Sequence, residues 1–211
     1  MQNPFDKYAV EYDRWYDENK FIFLSEVECI KKAIDFKTND SLEIGVGTGR
    51  FAKALGIEYG IDISENALKI AQKRGIKTYK SNANNLPFEN EKFGSVFIIF
   101  AVCFLKNPSK ALKESVRVLR KKGKIIIAMI NGNSDMGRYY KKKRKENIFY
   151  KKAKFYSPKT IINILKRTGI KKIETYQTLF TDPGLIKISK IIEKPKKGHD
   201  KGGVVVIRGE K

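Results

Sequence analysis

Apolar residues along the chain fall into short runs separated by glycine, asparagine and proline, and the runs alternate between two spacings. Over the first 36 residues Tyr8, Tyr12 and Trp15 recur at helical intervals, which predicts an amphipathic helix ahead of the first strand. Leu42 to Ile44 is a brief apolar run that ends in a glycine cluster. Glu58 to Ile63 is a second, followed by Ser64 as an N-cap and Glu65 in the first turn of a helix carrying Ala67, Leu68, Ile70 and Ala71 and stopping at Gly75. A third strand is predicted over Lys77 to Lys80, and Val96 to Leu105 reads as a buried central strand and its exit. That run is far short of the ~20 residues a membrane-crossing helix needs. After Asn107-Pro108, a helix marked by Ala111, Leu112, Val116 and Leu119 leads through Gly123 to a strand at Ile125 to Ile127. Ser157-Pro158 opens a further helix with an N-cap and an N1 proline. Ile170 to Phe180 reads as a strand, and Val204 to Arg208, behind Gly202-Gly203, as the last. Strands alternating with helices predict an α/β fold, and 211 residues suit one domain.

The stretch Leu42-Glu43-Ile44-Gly45-Val46-Gly47-Thr48-Gly49-Arg50 carries the most chemistry. Glycines at alternate positions allow positive φ and close approach of a ligand to the main chain. A dinucleotide loop wants G-x-G-x-x-G, but Arg50 occupies the sixth position, and no G-K-[ST] follows for a phosphate loop. What remains is E-x-G-x-G-x-G, in which Glu43 would repel phosphates and suit a cationic group. S-adenosylmethionine, with a sulfonium and an ammonium and no phosphate, fits those demands; a glycine-rich turn that holds no ligand fits the same nine residues. Asp62, 17 residues after Gly45, stands close to the ~20-residue offset at which α/β folds set a carboxylate on ribose hydroxyls.

Four further segments carry a resemblance. Asn82-Ala83-Asn84-Asn85-Leu86-Pro87-Phe88 followed by Phe93-Gly94-Ser95-Val96 resembles D-A-x-x-L-P-F and F-D-x-V; Arg117 to Gly123 resembles R-V-L-K-P-G-G; Phe5 to Asp13 resembles F-D-x-x-A-x-x-Y-D. Together they are similar to the class I S-adenosylmethionine-dependent methyltransferases, in the small-molecule, ubiquinone/menaquinone-methyltransferase-like branch. The resemblance implies a Rossmann-like sheet of seven mostly parallel strands with an antiparallel last strand, helices on both faces and an N-terminal helical cover. It implies S-adenosylmethionine as cofactor, held by Glu43, Gly45, Val46, Gly47, Gly49, Asp62, Ile63, Asn82, Ala83 and Phe100, with Asn82 and Ala83 beside the adenine. Asn82 departs from the family's acid and can accept a hydrogen bond only as a neutral amide. Gly94, Lys121 and Lys122 are further departures. On the substrate side the resemblance implies Tyr8, Tyr12 and Tyr16 closing over the cofactor, and Arg138 and Tyr139 in a segment lying over the substrate mouth. The chain is thus expected to divide into a cover (1–36), a cofactor core (37–130), a basic lid-like insert (131–156) and a C-terminal helix with edge strands (157–211).

Charge sharpens the acceptor question. The net charge is +21, yet residues 1–100 hold 14 Lys+Arg against 15 Asp+Glu, so the excess sits wholly in the second half. Such a field gathers anionic partners, which favours an anionic small-molecule acceptor. Arg138 to Tyr156 interleaves aromatics with cations, as RNA-binding segments do, so an RNA methyltransferase is the alternative, and a non-catalytic S-adenosylmethionine-binding module a further one. Cys29 and Cys103 lack a C-x-x-C and His199 is the only histidine, which argues against a disulfide scaffold or a metal cluster; His199 reads as a mobile linker residue. The first residues lack the features of a secretory signal, so a cytoplasmic protein with no membrane insertion is expected. No residue stands out as a catalytic base, because the leaving group of a sulfonium is already activated and alignment is the main demand.

Overall fold

The computed structural model describes residues 3–182, 185 and 190–211. Its centre is one sheet in the order β3-β2-β1-β4-β5-β8-β6-β7. The strands are β1 (Ser41–Ile44), β2 (Tyr59–Asp62), β3 (Lys77–Lys80), β4 (Phe93–Ile99), β5 (Leu119–Ile130), β6 (Lys171–Thr178), β7 (Lys196–Lys197) and β8 (Val204–Glu210). β1 to β5 pair in parallel, whereas β8 runs antiparallel to both β5 and β6. The expected mostly parallel sheet with an antiparallel last strand is therefore present, β8 lying between β5 and β6. It differs in one respect: a two-residue eighth strand, β7, lies at the edge.

Alternation along the central strands explains why both faces are covered. Val96 and Ile98 of β4 join one apolar cluster while Phe97 and Ile99 join the other; Ile125 and Ile127 of β5 oppose Ile126 and Ala128 in the same way. Side chains of successive residues point to opposite faces, so an unbroken apolar run must be roofed on each. One roof is α6 (Pro108–Val118), which supplies Ala111, Leu112 and Val116, and α8 (Pro158–Arg167), which supplies Ile161 and Leu165. The other is α3 (Lys20–Lys32), α4 (Arg50–Leu55) and α5 (Glu65–Lys73), with Ile30, Phe51 and Leu68 among their contributions. Side-chain caps set several helix starts: Ser64 accepts from Ala67 N–H, Asn107 from Lys110 N–H and Ser157 from Thr160 N–H.

Other differences from the sequence reading are local. Leu119 opens β5 and is not part of α6, which ends at Val118. Lys122, where the family pattern has glycine, takes a left-handed φ of 61°. The N-terminal cover consists of α1 (Pro4–Lys7) and α2 (Ala9–Glu18) leading into α3, so Tyr8 lies at the joint between two helices. The basic segment contains α7 (Asp135–Lys143), capped by Ser134, followed by turns. His199 is anchored, with Nδ1 3.2 Å from Thr175 Oγ1 and its carbonyl accepting from Asn131 Nδ2. Among the described residues no helix is long and apolar enough to cross a membrane.

Candidate active site

The glycine loop forms because β1 ends beside β2 and the main chain has to reverse there. Gly45 and Val46 both donate backbone N–H groups to Ile61 O, at 2.8 and 2.9 Å, hooking the loop over the second strand. Gly45, Gly47 and Gly49 all take positive φ, of 77°, 51° and 78°. A Cβ on Gly45 would meet Ala101 Cβ at 2.4 Å, and one on Gly49 would press on Ala71 at 3.0 Å, whereas one on Gly47 would project into open space. Gly45 and Gly49 are thus packing glycines. Gly47 is the one that leaves room for a ligand.

Asp62 at the end of β2 is held by the backbone on both oxygens: Oδ2 accepts from Gly47 N at 3.0 Å and Oδ1 from Ser64 N at 2.9 Å. Burial nevertheless raises its carboxyl above the ordinary range. Glu43 is only 2 % exposed, and its Oε2 has no hydrogen-bond partner among the described residues. Burial, with Asp62 close by, pushes the Glu43 carboxyl well above the usual range. Two acids facing one cavity with an oxygen unpaired are poised for a cation, which would restore their charge. That cavity has a volume of about 480 Å³, within the range of roughly 300–1,000 Å³ usual for small-molecule sites. Glu43, Gly45, Val46, Gly47, Asp62, Ile63, Asn82, Ala83 and Phe100 all line it, so nine of the ten cofactor residues anticipated from sequence come together; Gly49 does not reach it and instead caps α4.

Asn82 lines the cavity, but its Oδ1 already accepts from Asn84 N at 2.9 Å, closing an Asx turn. The amide oxygen left buried and without a partner among the described residues is that of Asn84, which lines the same cavity. The donor set as a whole fits S-adenosylmethionine: an unpaired carboxylate oxygen for a cation, an acid fixed at a strand end, a glycine that yields space and a free amide acceptor.

The N-terminal cover is latched by the two acids of its motif. Asp6 Oδ1 accepts from Ser64 Oγ at 2.9 Å and Asn66 N at 3.1 Å, tying α1 to the start of α5. Asp13 accepts from Arg50 Nε and Nη2 at 3.0 and 2.9 Å, from Arg74 Nη1 and Nη2 at 2.9 and 2.8 Å, and from Thr48 Oγ1 at 2.6 Å. The two arginines hold the Asp13 carboxyl well below the usual carboxylate range even though burial opposes them. The aromatic residues of the same motif, Phe5 and Tyr12, face the cavity with ring centroids 5.1 Å apart.

A second cavity of about 460 Å³ adjoins the first, and Tyr12, Tyr16, Phe100 and Phe149 line both. The Tyr12 and Tyr16 hydroxyls lie 3.3 Å apart on that seam, and burial raises both phenols. Phe100, the residue after β4, has φ 53°, a strained conformation for a bulky residue. Tyr140, Tyr150 and Glu26 extend the second cavity inward, while the exposed Glu11, Glu18, Glu146, Lys143 and Tyr139 form its rim. Of the substrate-side residues expected from sequence, Tyr12 and Tyr16 line both cavities and Tyr139 lines the second. Tyr8 lines neither cavity and instead carries Lys7 over its ring at 5.0 Å. Arg138 also lines neither, being an exposed side chain that donates to Asn133 O at 2.6 Å and pairs with Asp135.

Residues 42–127 match the family model for a methyltransferase domain. Over 209 residues, 99 % of each chain, the protein is 45 % identical to an uncharacterized protein of Methanocaldococcus jannaschii. A crystal structure from Thermotoga maritima, of a SAM-dependent methyltransferase described as a possible histamine N-methyltransferase, superimposes over 100 % of both chains with a TM-score of 0.93 and 36 % identity. The ubiquinone/menaquinone biosynthesis C-methyltransferase of Rickettsia typhi is 28 % identical over 200 residues, 85 % of this chain and 75 % of that one.

Proposed function

The chain belongs to the S-adenosylmethionine-dependent methyltransferases, and from that premise we propose that it methylates a small molecule held in the second cavity. Bound S-adenosylmethionine supplies a methyl group on a positively charged sulfur, whose departure needs no acid. The chain's own residues bind it through the Glu43, Asp62 and Asn84 side chains and the open position at Gly47. The observation that carries the reading is the shared seam: the same four aromatic residues bound both cavities, so a molecule in the second abuts whatever fills the first. Tyr12, Tyr16, Phe100 and Phe149 also exclude water, which competes as an acceptor, and they confine the approach of the nucleophile.

An anionic acceptor is a second reading. Lys106, Lys151 and Lys152 line the first cavity at exposed positions and would meet an acidic group at its mouth. The related proteins point to different acceptor atoms, nitrogen in one description and carbon in another. The test is methyl transfer from tritiated S-adenosylmethionine into a fractionated cell extract, with S-adenosylhomocysteine binding followed by calorimetry. Label entering a small-molecule fraction is the expected result. Label recovered only in RNA, with affinity falling steeply as salt rises, would overturn the small-molecule reading.

A further inference from the structure

Resting on the function proposed above, we propose that the second cavity is an amine site, in which Glu26 receives the acceptor's nitrogen and the tyrosines enclose its apolar body. Glu26 lies on the buried stripe of α3 between Ile22 and Ile30 and is only 7 % exposed. Its Oε2 has no hydrogen-bond partner among the described residues, although it lines a cavity of about 460 Å³. A buried polar oxygen without a partner is costly, and native proteins rarely keep one without a use. An N–H group arriving in the cavity would satisfy it.

The surroundings choose the sign of the ligand. Tyr12, Tyr16, Tyr140 and Tyr150 line the same cavity as Glu26, whose charge helps to raise their phenols. Tyrosine rings bind cations through their faces as well as apolar bodies through contact. Among the described residues at the rim, Glu11, Glu18 and Glu146 face one cation, Lys143, which is already paired with Glu146 at 3.1 Å. The cavity is therefore acidic within a protein whose net charge is +21. An anion entering it meets four carboxyl groups; an ammonium meets partners at each step.

The proton accounting is simple. Burial pushes the Glu26 carboxyl well above its usual range, which favours the protonated form over a bare buried carboxylate. Where a neutral amine meets the protonated form, the proton passes from oxygen to nitrogen and leaves a carboxylate–ammonium pair. Its return to Glu26 frees the nitrogen lone pair for reaction.

Calorimetry on the full chain saturated with S-adenosylhomocysteine tests this, using three probes of similar shape: 2-phenylethylamine, 2-phenylethanol and 3-phenylpropionate. The amine should bind at least about tenfold more tightly than the alcohol, and the carboxylate weakest. Glu26→Gln should weaken the amine by about tenfold to a hundredfold, the span of a charge-assisted hydrogen bond, and leave the alcohol unchanged. Glu26→Met, which places an apolar side chain on an apolar stripe, should give the same loss while keeping the melting temperature and S-adenosylhomocysteine affinity. An amine that gives no heat, that binds no better than the alcohol, or that binds Glu26→Gln as well as wild type would overturn the proposal. Failure of wild type to bind S-adenosylhomocysteine would instead strike the methyl-transfer reading on which it rests.

Discussion

Replacing Asp13 with alanine removes a carboxylate that joins the cover both to the glycine loop and to the end of α5. Asp13 accepts five hydrogen bonds, and its side chain and that of Arg50 are each 15 % exposed, with Arg74 at 25 %. Breaking a fully buried ion pair costs roughly 3–5 kcal/mol, and an exposed pair contributes under about 1. Two facts lower the first figure here: Arg50 keeps Asp17 at 2.6 and 2.7 Å, and Arg74 keeps Thr48 O at 2.6 Å. A loss of about 2 kcal/mol follows, or about 4–8 °C in melting temperature for a domain of this size. The comparison variant is Asp17→Ala, whose carboxyl is 65 % exposed and should cost at most a degree or two. Differential scanning calorimetry at neutral pH, with and without S-adenosylhomocysteine, measures both. The pH dependence supplies a second check. Because the Asp13 carboxyl is held below the usual range in the fold, its contribution is complete above the unfolded value of about 3.9 and disappears as the pH drops further. The gap between wild type and Asp13→Ala should therefore be constant above about pH 4 and narrow progressively as the pH falls below it. A variant that melts within a degree of Asp17→Ala at pH 7, or a gap that does not narrow as the pH falls below about 4, refutes the assignment of the latch to this carboxylate.

Three other outcomes are expected. Gly47→Ala should cost about 1 kcal/mol in stability through its positive φ yet weaken S-adenosylhomocysteine by tenfold or more, whereas Gly45→Ala, which drives a methyl into Ala101, should lose far more stability; paired melting and binding curves separate the two glycines. Glu43→Gln should stabilise the ligand-free protein and weaken S-adenosylmethionine. Its folded carboxyl is raised, so wild type loses stability as the pH rises above about 4.3, and the stabilising effect of the substitution should be larger at pH 8 than at pH 5 by thermal melts. Lys122→Gly should raise the melting temperature by about 1–3 °C, since it relieves a left-handed lysine at some cost in chain entropy; an unchanged or lower value in a melting scan would count against strain there.

Much of the donor site was legible because it is local in sequence. The glycine spacing, Glu43 and Asp62 lie within about twenty residues of one another, and strand periodicity fixes which ends of β1 and β2 they share. Features that depend on three-dimensional assembly were less visible. Arg50 served in the sequence reading only to exclude a dinucleotide loop, yet it anchors the cover; the signal lay in the motif at residues 5–13, whose acids Asp6 and Asp13 are the latches. Glu26 could have been noticed as an acid at four-residue spacing between Ile22 and Ile30, on the stripe of α3 that has to be buried. In sequence, the mixture of aromatics and cations over residues 138–156 suits a basic lid over an acidic small molecule as well as a surface for nucleic acid. In the fold it divides: Tyr140, Tyr150 and Phe155 pack inward on one another with centroids 5.0–5.9 Å apart, and Lys142 and Lys145 remain exposed. β7, two lysines long, carries no periodicity from which to infer a strand.

The antiparallel insertion of β8 has a consequence for the order in which the molecule can be made. Every described residue lining the first cavity lies before position 153, so the whole donor site is synthesised long before residues 204–210 leave the ribosome. Until then β5 has no neighbour on that side, and Ile125, Ile126 and Ile127, fully buried in the finished fold, present an open and strongly apolar edge. A chain elongating at roughly 5–20 residues per second passes several seconds in that state. The seven residues that seal the sheet thus act as the closing stitch of synthesis, and a chain halted short of them carries a complete set of donor-site residues beside an edge ready to pair with another nascent strand.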